Sequence, residues 1–229
     1  MVALNWESVD GKGIEINKIF APEGLVAGQT VGLSDQIQVW NGSSFDIYFY
    51  RVHKTNNPNK FTYDTCWVKT TAIGTPTTDT IPASTGFWFK RYGTTDRILT
   101  VSGGVKATAN EKAITSDYTM MGSAFPCDMV LNGTVEKPSM FDWAACATPG
   151  QTVGLSDQIQ VWNGEAFDIY FYRVHKTNNP NKFTYDTSWV KTTAIGTPTT
   201  DTIAPGKGFW YKRYGTTTTK LVETSPIAK

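Results

Sequence analysis

The stretch GQTVGLSDQIQVWNG, residues 28–42, occurs a second time in the chain as residues 150–164. Within it, QIQVW alternates polar and apolar side chains and is followed by Asn-Gly. This dipeptide is typical of hairpin turns because both of its residues tolerate positive φ. The residues after the turn, DIYFYRV at 46–52 and again at 168–174, are rich in aromatic and β-branched side chains, which favour strands. The pattern predicts one β-hairpin in each occurrence.

The repeat extends well beyond this hairpin. Residues 28–95 align with residues 150–217 without a gap, at an offset of 122, and differ at only eight of 68 positions. The segments before these blocks differ far more, apart from a loose parallel between residues 14–20 and residues 129–135 at an offset of 115. A period this long fits two like-built domains or two halves of one pseudo-symmetric domain. The predicted divisions are copy one at residues 1–104, a linker at residues 105–113, and copy two at residues 114–229.

Further strand patterns follow the hairpin in each copy. In copy one, residues 61–68 place aromatic rings on one face, and residues 86–92 read GFWFKRY. Turn chemistry separates these runs, with Asn and Pro at 55–59 and Gly-Thr-Pro at 74–76. Many short strands at regular spacing predict an all-β fold of two similar antiparallel β-sandwich or small-barrel domains in tandem. One pseudo-twofold β-sandwich is the alternative. A short helix is predicted only over residues 138–145.

Composition limits the classes of partner. The 229 residues carry 21 Lys and Arg against 20 Asp and Glu, a formal charge of +1, which offers no overall attraction for nucleic acid or anionic lipid. No stretch approaches the roughly 20 apolar residues that span a bilayer, so we expect no membrane insertion. The opening MVALNWE lacks the basic and apolar regions of a signal peptide. Either the chain is cytosolic, or its leader is absent from this sequence.

Side chains that commonly serve in catalysis and metal binding are scarce in this sequence. Only two His are present, His53 and His175, and each stands beside cationic residues without an acidic partner at a recognisable spacing. Carboxylates could pair as in a glycosidase, and the Asn-rich residues 55–59 could hold Ca²⁺, but surface and turn roles explain these residues adequately. The carboxylates in question are Asp46, Asp64, Asp168 and Asp186. We predict a protein that is not an enzyme and that uses no metal or cofactor.

Aromatic placement is the most informative chemistry of the sequence. In residues 86–92, alternation puts Phe87 and Phe89 on one face of the strand. The other face then carries Trp88, Lys90 and Tyr92. That face could stack on sugar rings, whose C–H faces are apolar, or it could pack against the other copy, which is the commoner role of Trp. The candidate glycan-binding residues on this face and its equivalents are Trp40, Trp88, Lys90, Tyr92, Trp162, Trp210, Lys212 and Tyr214.

The three cysteines do not occupy equivalent places. Cys66 becomes Ser188 in copy two, so the shared fold requires no disulfide there. Cys127 and Cys146 lie in the divergent segment of copy two, where in an oxidising compartment they could pair and contribute about 3 kcal/mol. In a reducing compartment both would stay free thiols.

Two motifs carry a resemblance to known proteins. IQVWNG at 37–42 followed by GFWFKR at 86–91, with GFWYKR in copy two, resembles a repeat of secreted and surface β-repeat proteins of bacteria. The stretch YTMMGSAFP at 118–126 resembles the strand and turn that often precede that repeat. The resemblance covers most of both copies. It implies an extracellular setting and brings no assigned activity and no site residues.

These observations lead to two functional hypotheses. The first is a non-enzymatic extracellular or cell-surface protein with a structural, assembly or adhesive role. Its expected partners are other protein subunits, further copies of itself or surface glycans. The alternative is a carbohydrate-binding module that uses the Trp and Tyr platforms named above. Exposure of the strand faces that carry Trp88 and Trp210 separates the two hypotheses.

Overall fold

A computed structural model describes residues 1–8, 10–53, 64–96, 98, 100–115, 117–174 and 187–226. Copy one contains β1 (Val2–Ala3), β2 (Ile14–Glu15), α1 (Ile16–Ile19), β3 (Gln36–Trp40), β4 (Phe45–Val52), β5 (Thr65–Lys69), β6 (Thr80–Ile81) and β7 (Gly86–Lys90). The remaining elements are β8 (Asn110–Ile114), β9 (Asp117–Met121), β10 (Met129–Val130), α2 (Trp143–Cys146), β11 (Gln158–Trp162), β12 (Phe167–Val174), β13 (Thr187–Lys191), β14 (Thr202–Ile203), β15 (Phe209–Arg213) and β16 (Thr219–Glu223).

Each copy is built on one five-stranded antiparallel sheet. The strand order is β1-β7-β3-β4-β5 in copy one, and the equivalent order in copy two is β9-β15-β11-β12-β13. The pairs β2–β6, β10–β14 and β8–β16 form small two-stranded sheets. The prediction of an all-β fold with two similar antiparallel units is confirmed. In the described part of the chain neither sheet closes into a barrel, because each ends in two edge strands.

The predicted hairpin forms in both copies. β3 and β4 pair in register from Gln36 opposite Phe49 to the ends of the strands. The turn closes through the N–H of Asn41, which donates to the carbonyl of Ser44 at 3.0 Å. Gly42 has a φ of +104°, a conformation that a residue with a Cβ rarely adopts. Copy two repeats the same register between β11 and β12.

Each copy has its own hydrophobic core, and the divergent segments complete it. Trp67 at the centre of copy one and Trp189 at the centre of copy two are fully buried. The segment before each repeat block supplies the side chains that cover these rings. They are Ile16, Ile19 and Phe20 in copy one and Leu131, Phe141 and Trp143 in copy two. The repeated strands are thus packed by unlike side chains.

One asparagine in each copy protects the edge of the sheet. Asn17 accepts from the N–H of Trp67 in edge strand β5 at 2.7 Å and donates to the carbonyl of Thr77 at 2.6 Å. Asn132 accepts from the N–H of Trp189 at 2.8 Å in the same way. These bonds occupy backbone groups that an edge strand would otherwise present to another chain. They also confirm the loose parallel at an offset of 115.

Two local features differ from the sequence-based expectations. β8 occupies the second half of the predicted linker at residues 105–113 and pairs with β16 over five residue pairs. The helix predicted over residues 138–145 is shorter and begins at Trp143. The Asp142 side chain caps it by accepting from the N–H of Ala145 at 3.2 Å. The helix therefore begins at this cap and not at Pro138.

Candidate functional site at the junction of the copies

Backbone bonds join the two copies reciprocally. The N–H of Gly122, just after β9, donates to the carbonyl of Ser84 at 3.0 Å. The N–H of Ala3, in β1, donates to the carbonyl of Gly206 at 2.8 Å. Ser84 and Gly206 are equivalent at the offset of 122, so each copy offers the same turn to the edge strand of the other. This reciprocity is the geometry of a twofold interface.

The four candidate tryptophans pack across this interface. Trp40 of copy one lies edge-to-face against Trp210 of copy two, with ring centroids 5.6 Å apart. Trp88 of copy one meets Trp162 in the reciprocal contact at 6.1 Å. The indole N–H of Trp40 also donates to the carbonyl of Tyr118 at 3.2 Å. All four indoles are half-buried, and their outer strand faces serve as packing surface between the copies.

The other candidate glycan-binding residues remain more open to solvent. Lys90 is exposed at the end of β7. Tyr92 is 42% exposed and Tyr214 is 50% exposed. Lys212 is half-buried, and its ammonium lies 5.2 Å from the ring centroid of Tyr118, which is cation–π distance. These four residues keep polar groups at the surface beside the tryptophan contacts.

The three cysteines are free thiols. Cys127 Sγ lies 3.5 Å from the sulfur of Met140, whereas Cys146 Sγ donates to the carbonyl of Asp142 at 3.3 Å. The disulfide considered between Cys127 and Cys146 is therefore not formed. Burial raises the pKa of Cys66 to about 11 and the pKa of Cys146 to about 12. Both thiols stay protonated near neutral pH and are poor nucleophiles.

Two of the four candidate carboxylates, Asp46 and Asp168, each belong to a structural network with a second aspartate. The ammonium of Lys69 lies 3.1 Å from a carboxylate oxygen of Asp46 and 3.5 Å from one of Asp79. The phenol of Tyr48 donates to Asp79 at 2.6 Å, and burial raises the pKa of this phenol. The equivalent residues of copy two are Lys191, Asp168, Asp201 and Tyr170. The lysine of β5 links a carboxylate of β4 to a carboxylate of the loop that precedes β6, and the lysine of β13 does the same in copy two. This contact stabilises the position of the loop on the sheet.

Of the remaining candidate residues, the structure describes His53 and Asp64. The N–H of His53 donates to the carbonyl of Asp64 at 2.8 Å, continuing the pairing of β4 and β5. His175, Asp186 and residues 55–59 lie outside the described residues. Within the described ranges, no group of three His, Cys, Asp or Glu side chains is close enough to hold a metal ion.

Sequence reasoning missed a pair of adjoining clefts at the junction. One has a volume of 360 Å³ and the other 270 Å³, and both are lined by Thr85, Lys112 and Ala113. The ammonium of Lys112 donates to the carbonyl of Ser84 at 3.0 Å and to the hydroxyl of Thr85 at 3.2 Å. A side chain of β8 in copy two thus reaches the turn of copy one. Burial lowers the pKa of Lys112 to about 8.

The smaller cleft combines aromatic, hydroxyl and amide groups with one cation. Its walls come from both copies, because Trp40 ends β3 and Asn41 follows it, while Tyr118 and Thr119 belong to β9. Lys112 is the one charged side chain among its described lining residues. The other members of the wall are Gly42, Thr85, Ala113, Thr115 and Met120. The larger cleft is of mixed charge, since Glu7, Lys106 and Glu111 also line it.

Lys112 is not among the site residues predicted from the sequence, because it lies within the predicted linker. The sequence of residues 110–114, NEKAI, does not alternate polar and apolar side chains, although in the strand Asn110 and Ile114 are buried and Glu111 and Ala113 are exposed. Lys112 shares the inward face of that strand. No local pattern, however, indicates that Ser84 and Trp40 of the other copy lie opposite.

Comparisons with known proteins found no matching family model, no matching curated protein and no matching solved structure. Among the described residues, no helix has the length and apolar character that crossing a membrane requires.

Proposed function

We propose that the chain is a non-enzymatic protein, extracellular or on the cell surface, that acts by presenting its two β-units in a structural, assembly or adhesive role. The observation that carries this proposal is the reciprocal junction, where Trp40 meets Trp210 and Trp88 meets Trp162. Aromatic contacts of this kind hold two bodies together through buried area and ring geometry. The junction supports a unit that displays two like surfaces in a defined orientation.

Each copy displays the same exposed apolar turn. The 3₁₀ turns Val31–Leu33 and Val153–Leu155 each end in a leucine that is 51% exposed. A glutamine side chain fixes each turn, since Gln36 donates to the carbonyl of Val31 at 2.7 Å and its counterpart does the same in copy two. Two identical contact points on one body give avidity without any new contact. This bivalence supports assembly or adhesion over a single-site function.

The test is self-association of the full chain. Sedimentation velocity and electron microscopy over a range of concentrations should show species larger than a monomer. The double variant Leu33→Asp with Leu155→Asp should weaken association by more than either single variant, because it removes both contact points. Val135→Asp is the control, since Val135 is apolar and, at 95% exposed, more open to solvent than either leucine, but lies outside the repeated turns. A strict monomer that binds no cell surface or polymer would contradict the proposal.

A carbohydrate-binding module is the second candidate. The observation in its favour is the 270 Å³ cleft, where Trp40 and Tyr118 stand beside amide and hydroxyl groups. A glycan array with the full chain tests it. Absence of binding, or binding that survives Trp88→Ala with Trp210→Ala and also Trp40→Ala, would remove the aromatic platforms from consideration.

A further inference from the structure

The smaller junction cleft has a cation and no anion to neutralise it. No carboxylate lies among the described residues that line the cleft, and Lys112 makes no ion pair within 4.0 Å in the described part of the chain. The nearest lysine along the ribbon, Lys220, is paired with Glu111 at 2.5 Å. An ammonium has three N–H donors, and Lys112 uses two of them on neutral acceptors. A partly desolvated charge without a counter-ion is costly, and a bound anion would offset that cost.

The shape and chemistry of the cleft narrow the class of anion. Its volume of 270 Å³ lies below the roughly 300–1,000 Å³ of pockets for drug-sized molecules, so it suits a ligand of one ring. Trp40 and Tyr118 offer aromatic surface to the apolar C–H face of such a ring. Asn41, Thr115 and Thr119 offer amide and hydroxyl groups to ring hydroxyls.

We propose that this cleft binds a single acidic sugar unit, a hexuronic acid, whose carboxylate pairs with Lys112 and whose ring packs on Trp40 and Tyr118. The proposal rests on the second candidate function and gives its substrate class. It is independent of self-association, which involves the turns Val31–Leu33 and Val153–Leu155. The cleft lies on the side of the junction that β8 lines, since β8 supplies Lys112 and Ala113.

The proposal is consistent with the charge state of the lysine. Burial lowers the pKa of Lys112 to about 8, so the side chain is still mostly cationic at neutral pH. A charge-assisted bond from an ammonium to a carboxylate is roughly twice as strong as a bond between neutral groups. Binding should therefore discriminate strongly between a hexuronic acid and the neutral hexose of the same shape.

The first experiment titrates the full chain with sodium glucuronate, glucose and sodium acetate. Binding is followed by the indole N–H resonances of Trp40 in nitrogen-15 NMR spectra. Glucuronate should shift and saturate the Trp40 signal at about millimolar concentration, and glucose and acetate should each bind at least about tenfold more weakly. Equal binding of acetate and glucuronate would overturn the sugar assignment. No shift of Trp40 with glucuronate would overturn the site.

Two pairs of variants locate the site. Lys112→Met should weaken glucuronate binding by about tenfold or more and leave glucose binding unchanged. Its control is Lys220→Met, which removes the same charge from the same ribbon outside the cleft. Equal effects of the two lysine variants would overturn the role of Lys112.

The second pair exploits the repeat. Asn41→Ala and Asn163→Ala remove the same bonds to backbone N–H groups of the hairpin turn in the two copies. Asn41 also bonds the hydroxyls of Ser43 and Ser44, so urea unfolding of both variants first shows that each is folded under the binding conditions. Of the two asparagines, only Asn41 lines the cleft, and only Asn41→Ala should weaken glucuronate binding. Equal weakening by both variants would show a general effect of the turn and overturn the assignment. This pair also decides the question should Lys112→Met fail to fold.

Discussion

Copy one and copy two handle one buried carboxylate in different ways. In copy two, Asp157 is fully buried and accepts from the phenol of Tyr211 at 2.7 Å and from the guanidinium of Arg213 at 3.1 Å. In copy one, the equivalent Asp35 is equally buried, but Phe89 replaces the tyrosine. Both carboxylates also accept from two backbone N–H groups, at equivalent positions of the two copies. The same strand framework thus holds the carboxylate through backbone N–H groups in both copies and adds a buried ion pair in copy two.

Besides the Phe89–Tyr211 replacement within the repeat, a cause of the difference lies in the divergent segments outside it. Arg213 is held in place because it also donates to the carbonyl of Cys146 at 2.9 Å, and Cys146 belongs to the divergent segment of copy two. The equivalent Arg91 of copy one makes no ion pair among the described residues, and its Nε is buried without a hydrogen-bond partner. In copy one, Phe20 of the divergent segment packs on Phe89 at 5.1 Å. Identical residues therefore acquire different partners from unlike neighbours.

The largest expected effect tests this contrast directly. Asp157→Asn should lower the free energy of unfolding by about 3–5 kcal/mol, because it leaves the buried Arg213 charge without a partner. Asp35→Asn should cost about 1–3 kcal/mol, the range for disturbed buried hydrogen bonds. Urea unfolding of the two variants measures both values. Equal losses of unfolding free energy in the two variants would mean that the ion pair with Arg213 does not make Asp157 more important for stability than Asp35.

A second contrast concerns a buried glutamate in β16. Glu223 accepts from the N–H of Ala124 at 2.8 Å and from the hydroxyl of Ser123, whereas the offset of 122 places Val101 at this position of copy one. Burial raises the pKa of Glu223 to about 7, against the lowering effect of these hydrogen bonds. The folded chain thus keeps a proton that the unfolded chain releases near pH 4.5.

The sign of the pH effect follows from this difference in bound protons. Between about pH 4.5 and pH 7 the folded state binds more protons, so stability falls as the pH rises, by about 3 kcal/mol in total. Glu223→Gln mimics the protonated form and should remove this loss. The measurement is urea unfolding of both proteins at about pH 5 and about pH 8. Parallel pH profiles of the two proteins would exclude Glu223 as the source.

Unlike the buried carboxylates, the edge asparagines Asn17 and Asn132 should contribute equally to the stability of the two copies. Asn17→Ala and Asn132→Ala each leave a buried N–H of a central tryptophan without its acceptor, at a cost of about 1–3 kcal/mol. The two losses should be similar, since the bonding is the same in both copies. Chemical unfolding measures the cost. A large cost in one copy and none in the other would break the structural equivalence at an offset of 115.

The smallest expected effect concerns Cys66 and Ser188. The hydroxyl of Ser188 is buried without a hydrogen-bond partner among the residues that the structure describes, and an unsatisfied polar group costs about 1 kcal/mol or more. Ser188→Ala should therefore raise the free energy of unfolding by about 1 kcal/mol. Cys66→Ser should lower it by a similar amount, because it places the same hydroxyl in the same environment. Thermal unfolding should therefore show a gain in stability for Ser188→Ala and a loss of stability for Cys66→Ser.

The strands were predictable because their signals are local. Alternation in residues 36–40, the Asn-Gly turn and the aromatic run at residues 86–90 specify the hairpin and the aromatic strand, β7 or β15, of each copy within a few residues. The inward and outward faces of β7 followed from the same alternation, and Phe87 is fully buried as that alternation predicts. The weakest prediction was the helix over residues 138–145. The helix begins after the cap at Asp142, four residues beyond Pro138.

Only part of the candidate site could be predicted from the sequence. The aromatic face with Trp40, Trp88, Trp162 and Trp210 was identified, because period-two alternation shows which rings share a face. Whether that face meets sugar or the other copy depends on how two sheets dock, and docking brings together residues far apart in the chain. Lys112 was missed for the same reason, since its partner Ser84 lies 28 residues away in the other copy.

The sequence by itself determined that this protein is a duplicated all-β chain with near-neutral charge and aromatic strand faces. These properties depend on composition, repetition and short-range periodicity. Tertiary structure alone decided that the tryptophans pack reciprocally between the copies, that one arginine of an identical pair neutralises a buried aspartate, and that a lysine stands unneutralised in a junction cleft. The physical reason is that burial and counter-ions are set by long-range contacts, which two nearly identical segments make with different surroundings.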